Sequence, residues 1–172
     1  NAFKYLGQDA VVSDRPAALE KADKIVLPGV GSSKDAMDGL RGRSLVEPLL
    51  TAIKKGKPFL GICLGLQLLF GSSEESGGCD CLGLINGSVR VFPGGKGLKV
   101  PQIGWNTVRI KRSLCPILRG INDNSYFYFV HSFYCDNAEK DLTAGETEYG
   151  VVYTSALWKE NVFAVQFHPE RS

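Results

Sequence analysis

No apolar run in this sequence is long enough to cross a bilayer, and no secretory leader is visible, so neither a membrane nor an export role is expected. Charge of one sign is also lacking: 20 Lys and Arg stand against 18 Asp and Glu, and a formal charge of +2 argues against nucleic acid as a partner. Histidine is scarce, with two in 172 residues, and no C-x-x-C pair completes a zinc set, so neither a metal nor a cofactor is expected. Cysteine is present but unpatterned. Five is an odd number, and Cys63, Cys79, Cys81, Cys115 and Cys135 are scattered, which excludes a disulfide framework and predicts a reducing compartment, the cytoplasm or, for a plant-type source, a plastid. Cys79-Asp80-Cys81 reads as a loop with two free thiols. There is no initiator methionine, and the first seven residues read as the last turns of a helix closed by Gly7. Sequence is expected to be missing at both ends.

What is there centres on Pro58-Phe59-Leu60-Gly61-Ile62-Cys63-Leu64-Gly65-Leu66-Gln67-Leu68-Leu69-Phe70. An apolar strand ends at a cysteine and an apolar helix starts at once. Glycines lie two residues before and two after the sulfur, giving the cysteine form of the G-x-S-x-G elbow that presents a nucleophile on a tight turn. A lone cysteine in an apolar segment is ordinarily a small core residue. Gly61 and Gly65 point away from that reading, because they weaken a strand end and a helix start unless backbone must approach closely there. A helix starting at Leu64 turns its free N–H groups toward the sulfur and favours thiolate. The Leu64 N–H is then a candidate oxyanion donor.

The chain closes on Phe167-His168-Pro169-Glu170. Pro169 biases His168 to extended backbone, and residues two apart in an extended segment point the same way, so Glu170 is expected beside the ring. The competing reading is a surface pair at a strand end. If Cys63 needs a histidine base, the candidates are His131 and His168, and only His168 has a carboxylate nearby in sequence. Around this core stand residues with weaker signals. Pro28-Gly29-Val30-Gly31 follows a buried strand and offers a second oxyanion N–H, or is an ordinary βα loop. Gln67 lies one helical turn after Cys63 on the same face and suits an amide or ammonium group. Glu75, in the loop beyond, suits a substrate ammonium or is merely solvated. His131 and Ser132, in an aromatic stretch with Phe133, are candidates to line a pocket. Lys96, Lys99, Arg109, Lys111 and Arg112 form a loose basic stretch, read first as a solvated face and second as a docking surface.

Strands are expected at Ala10–Val12, Lys24–Leu27 and Phe59–Ile62, with helices from Pro16 to about Ala22, Asp35 to Leu40 and Glu47 to Lys55. Gly71 to Cys81 reads as a polar loop. Strands then dominate: Gly87–Phe92, Trp105–Ile110, Tyr126–Tyr134, Ala144–Glu148, Val151–Leu157 and Val162–Phe167, with a short helix at Cys115–Arg119. The fold class is α/β: a mixed, largely parallel central sheet flanked by helices, with an antiparallel C-terminal part, in one domain spanning the chain.

G-I-C-L-G-L-Q together with F-H-P-E resembles the class I (triad) glutamine amidotransferases, whose fold is flavodoxin-like. Within them, Pro101-Gln102-Ile103-Gly104-Trp105-Asn106, Tyr128-Phe129-Val130-His131-Ser132-Phe133 and Leu27-Pro28-Gly29-Val30-Gly31 are similar to the glutaminase component of imidazole glycerol phosphate synthase. The resemblance implies Cys63 as nucleophile, His168 as general base and acid, and Glu170 as its orienter. It implies an oxyanion hole from Gly29, Val30 and Leu64, and glutamine held by Gln67, Glu75 and the His131-Ser132-Phe133 segment. Its implied partner is a (β/α)8-barrel cyclase, as a subunit or a fused domain, that receives the ammonia for histidine biosynthesis. Against that pattern the chain lacks the family's first strand and closing helix. The competing functions are a glutaminase for anthranilate or GMP synthesis, a stand-alone cysteine hydrolase, and a non-catalytic binding protein on the same fold.

Overall fold

The computed structural model describes residues 2–95 and 97–172; Asn1 of the expected helix tail and Lys96 of the basic stretch lie outside the described residues. The N-terminal half contains α1 (Ala2–Tyr5), α2 (Pro16–Lys21), β1 (Ile25–Gly29), α3 (Ser33–Gly42), α4 (Val46–Lys54), β2 (Phe59–Cys63), α5 (Leu64–Gln67) and β3 (Phe70–Ser73). There follow β4 (Cys79–Asp80), β5 (Ile85–Val91), β6 (Gln102–Ile110), β7 (Ser125–His131) and β8 (Phe133–Asn137). β9 (Thr143–Glu148), β10 (Val152–Lys159) and β11 (Val162–Val165) complete the strands.

Seven strands form one sheet in the order β1-β2-β11-β10-β9-β6-β7. β1, β2 and β11 run parallel, and β1 reaches β2 through the helices α3 and α4, as a parallel connection requires. The remaining pairs are antiparallel, so the sheet is mixed, with its parallel part around the elbow strand and its antiparallel part built from the C-terminal half. A second sheet, β4-β3-β5-β8, was not foreseen from sequence.

The large sheet is covered on both faces. On β10 and β11 the paired residues Leu157 and Ala164 belong to one buried cluster, with Met37, Leu49, Ile53, Phe59 and Phe70. Their neighbours Ala156 and Val165, also paired, belong to a second cluster with Val108, Phe129, Tyr153 and Phe167. Adjacent strand residues point to opposite faces, so the same two strands are buried from above and below. No helix among the described residues is long and apolar enough to cross a membrane.

Four expectations are corrected. Ala10–Val12 is not a strand: no segment among the described residues pairs with it, and Val11 and Val12 are exposed. The helix after Cys63 is a single turn rather than a run to Phe70. Leu66, Leu68, Leu69 and Phe70 are all fully buried, and an apolar run without periodicity is compatible with either helix or strand. Here the backbone opens so that the Leu68 and Leu69 carbonyls accept from Leu82, Leu84 and Ile85 N–H groups. The expected Gly71–Cys81 loop contains part of β3, a 3-10 turn at Glu75–Gly77 and β4. Finally, Tyr126–Tyr134 is not one strand. It breaks at Ser132, where the chain leaves the large sheet as β7 and enters the small one as β8.

Candidate active site

Cys63 ends β2 and precedes α5 with φ +54° and ψ −107°, a conformation costing about 1–3 kcal/mol for a residue with a side chain. The two glycines explain how the turn fits. A Cβ on Gly65 would lie 1.9 Å from the Leu27 carbonyl oxygen, and one on Gly61 would lie 2.7 Å from the Gly65 oxygen. Neither position has room for a methyl group, so the elbow is packed backbone to backbone between β1, β2 and α5. β1 places Gly29 in register with Cys63.

The sulfur opens onto a cavity of about 300 Å³. Val30, Cys63, Leu64, Gln67 and Glu75 line it, together with His131, Ser132, Phe133 and His168. Nine residues singled out in the sequence therefore meet in one space. Glu170 stands behind His168 instead of lining the cavity, and Gly29 lies beside it in β1. Gly31, Pro101 and Val130, which the sequence offered only as members of longer motifs with no role of their own, also line it.

His168 is 7% exposed, and its Nδ1 is 2.8 Å from Glu170 Oε1. The carboxylate accepts, so Nδ1 carries the hydrogen and Nε2 is left as the free base position. Nε2 is buried without a hydrogen-bond partner. His168 is extended, but Pro169–Arg171 forms a 3-10 turn, so Glu170 comes back under the ring by a turn and not along an extended strand as expected. The His168 N–H donates to the Tyr128 carbonyl, and the Ser172 hydroxyl donates to the His168 carbonyl while accepting from the Tyr128 N–H, which pins the segment against β7.

His131 is built differently. Its Nδ1 donates to the Phe133 carbonyl at 2.7 Å, and its Nε2 is 3.2 Å from the Tyr153 hydroxyl, which also lies 3.0 Å from Gln102 Oε1. Among the described residues no carboxylate orients it. Burial pushes its pKa down to about 4, so it is neutral at ordinary pH. Glu75 is neither free nor simply solvated: its Oε2 accepts from the Ser33 N–H at 2.6 Å, at the start of α3.

Burial pushes the Cys63 thiol up to about 11, against the opposing pull of the Leu64 N–H and the Gln166 side-chain amide. The carboxylates of Glu170 and Glu75 push in the same direction as burial. Gln166 is a residue that sequence reasoning missed. The signal was present: it is a polar residue within an apolar strand end, two positions before His168 and so on the same face. Of the basic stretch, Arg109, Lys111 and Arg112 each have partners within the fold. Arg109 and Lys111 pair with Glu146, while Arg112 donates to the Trp158 carbonyl and lies over its ring at 4.0 Å.

Residues 6–172 match the family model described as glutamine amidotransferase class-I. Imidazole glycerol phosphate synthase subunit HisH of Syntrophotalea carbinolica is 47% identical over 175 residues, covering 99% of this chain and 84% of that protein. The subunit of the same name from Thermococcus kodakarensis is 50% identical over 177 residues, covering 100% and 86%. Among solved structures, a glutamine amidotransferase superposes with a TM-score of 0.75 at 16% identity, covering 98% of this chain and 82% of its own. A glutamine amidotransferase from Thermotoga maritima gives 0.67 at 22% identity, covering 98% and 68%. These two likenesses speak to the fold.

Proposed function

Since the chain belongs to the class I glutamine amidotransferases, we propose that Cys63, His168 and Glu170 are its nucleophile, its general base and acid, and the orienter of that base. The activity is hydrolysis of glutamine to glutamate and ammonia, with the ammonia used in imidazole glycerol phosphate synthesis, a step of histidine biosynthesis. The observation that carries this reading is one cavity lined by a strained elbow cysteine and by a histidine whose outer nitrogen is held by a carboxylate.

The chemistry follows from the parts. Glutamine lies with its ammonium toward Glu75 and Gln67, and its side-chain carbonyl next to Cys63. The Cys63 thiol passes its proton to His168 Nε2, and the sulfur bonds to the amide carbon. The oxyanion that forms is met by backbone N–H groups at Leu64 and the Gly29–Val30 peptide; one such donor is typically worth about 10²–10³ in rate. His168 returns the proton to the departing nitrogen, the C–N bond breaks, and ammonia leaves a γ-glutamyl thioester. Water, deprotonated by the same nitrogen, cleaves the thioester to glutamate and restores the thiol. A substrate ammonium at Glu75 offsets one of the two charges that disfavour the thiolate, which ties sulfur activation to an occupied site.

The partner is read as a (β/α)8-barrel cyclase, and one face of the fold supports this. On the β6–β7 hairpin, Ile103 opposes Val130 and Trp105 opposes Tyr128, with Tyr126 farther along β7. Ile103, Trp105 and Tyr126 are 63%, 57% and 66% exposed, an apolar surface of the kind that marks a protein interface. Val130 carries it to the cavity mouth. All five cysteines are free, which supports a reducing, cytoplasmic setting. The test is a glutaminase assay with and without the cyclase and its ligand. Stimulation of at least about tenfold is expected; high glutamine turnover unaffected by the cyclase would point to a stand-alone hydrolase.

A further inference from the structure

Between the cavity and the core runs a chain of two amides, Gln67 and Gln166, whose hydrogen bonds to one another and to the sulfur the mechanism above does not use. The Gln67 side-chain NH2 donates to the Phe133 carbonyl at 3.2 Å and to Gln166 Oε1 at 3.1 Å. The Gln166 NH2 then donates to Cys63 Sγ at 3.6 Å, a normal length for a bond to sulfur. Gln166 is completely buried, between Val165 and Phe167, which are each 3% exposed. An amide in such a place costs several kcal/mol unless both its ends are paired, and a leucine would fill the space without that cost.

The polarity of this chain is fixed from one end. A backbone carbonyl is only an acceptor, so at Phe133 Gln67 must present its NH2. With both amide hydrogens of Gln67 directed at acceptors, Gln166 must present its oxygen to it. That leaves the Gln166 NH2 facing the sulfur. Turning Gln67 over would place its oxygen against two acceptor oxygens, and turning Gln166 over would place its NH2 against the Gln67 NH2 and its oxygen against the sulfur.

We propose that Gln166 is a donor to the reacting sulfur, and that Gln67 and the Phe133 carbonyl are its positioning groups, holding a hydrogen on Cys63 throughout the reaction. This rests on the reading of Cys63 as the nucleophile and adds to it a second donor beside the Leu64 N–H. A donor to an ionised sulfur gains strength as charge develops on it, so Gln166 favours the thiolate over the thiol. The Gln67 oxygen, left free by this arrangement, is the atom available to substrate. One side chain therefore both meets glutamine and sets the donor on the nucleophile.

The test reads the thiol itself. Alkylation of Cys63 by a small haloacetamide is followed against pH by mass spectrometry of the Cys63 peptide, because Cys79 and Cys81 are partly exposed and also react. In Gln166→Met the alkylation midpoint is expected to rise by about one pH unit, the size expected for losing a hydrogen bond to a charged group. In Gln166→Glu it should rise further, since oxygen replaces the N–H beside the sulfur. For glutamine turnover, kcat should fall by about tenfold in Gln166→Met with KM nearly unchanged. A folded Gln166→Met protein with the wild-type midpoint overturns the proposal. If that variant does not fold, Gln67→Leu, which removes the group that fixes the Gln166 amide, decides it by the same midpoint: a wild-type value in that folded protein overturns the proposal. Because alkylation needs no glutamine, a failure here is separable from a failure of the glutaminase reading, which is judged by turnover.

Discussion

His168 Nδ1 lies 2.8 Å from Glu170 Oε1, two residues along the chain and across a turn opened by Pro169. The proline serves both ends of this contact. It holds His168 extended, so that the ring enters the cavity, and it supplies the fixed φ that starts the 3-10 turn returning the carboxylate. The ring is thereby set in one tautomer, with its other nitrogen free to accept a proton. Replacing Glu170 with glutamine keeps the shape and loses that control. The expected outcome for Glu170→Gln is a fall in kcat of about 10²–10⁴-fold with an unchanged melting temperature, checked by steady-state glutaminase kinetics and thermal denaturation.

The elbow has no space for a side chain at Gly65. Gly65→Ala would bring a methyl group 1.9 Å from the Leu27 carbonyl oxygen, a backbone atom held in β1. We expect a loss of about 3 kcal/mol of stability by urea denaturation, together with loss of glutamine turnover. A variant of wild-type stability and activity would show that the turn relaxes freely and that the close approach does not hold Cys63.

Acid should loosen the fold through His131. Its pKa is lowered in the folded protein from 6.5 to about 4 by burial, so the folded state disfavours the proton relative to the unfolded chain. The stability this group contributes is whole above pH 6.5 and is lost as pH falls from 6.5 to about 4, by about 3 kcal/mol in all. Denaturation curves at pH 7 and pH 4.5 should separate accordingly, and the separation should shrink in His131→Gln. An equal separation in that variant would move the effect to other groups.

Trp105 and Tyr126 belong to the exposed hairpin and make no part of the cavity wall. Trp105→Lys and Tyr126→Lys should melt like the wild type and keep its basal glutaminase rate. They should weaken association with the cyclase by about 10–100-fold, measured by titration calorimetry, because aromatic anchors dominate interfaces of this kind. Full stimulation at wild-type partner concentrations would place the contact elsewhere on the surface.

The elbow and the His-Pro-Glu segment were legible because their chemistry is local: glycine spacing about Cys63 and a carboxylate two residues from His168. The residues lining the cavity were legible mostly through resemblance. Glu75 alone reads as a solvated loop residue, and only the fold brings its carboxylate to the Ser33 N–H, 42 positions earlier. The second sheet was not legible, since the run from Leu64 to Phe70 carries no period by which a buried helix differs from a buried strand. Ala10–Val12 has strand composition, but a strand forms only against a partner. Gln166 was missed because a single polar residue in an apolar strand names no partner; its meaning lies in Gln67 and Cys63, 99 and 103 positions away.

The central claim is that the sulfur of Cys63 takes the γ-glutamyl group. It is tested most directly by Cys63→Ala in the presence of the cyclase and its substrate, supplied either with glutamine or with an ammonium salt. The account predicts that glutamine-dependent formation of imidazole glycerol phosphate falls to background while ammonium-dependent formation continues at the wild-type rate. Glutamine use that survives in a Cys63→Ala protein would contradict it.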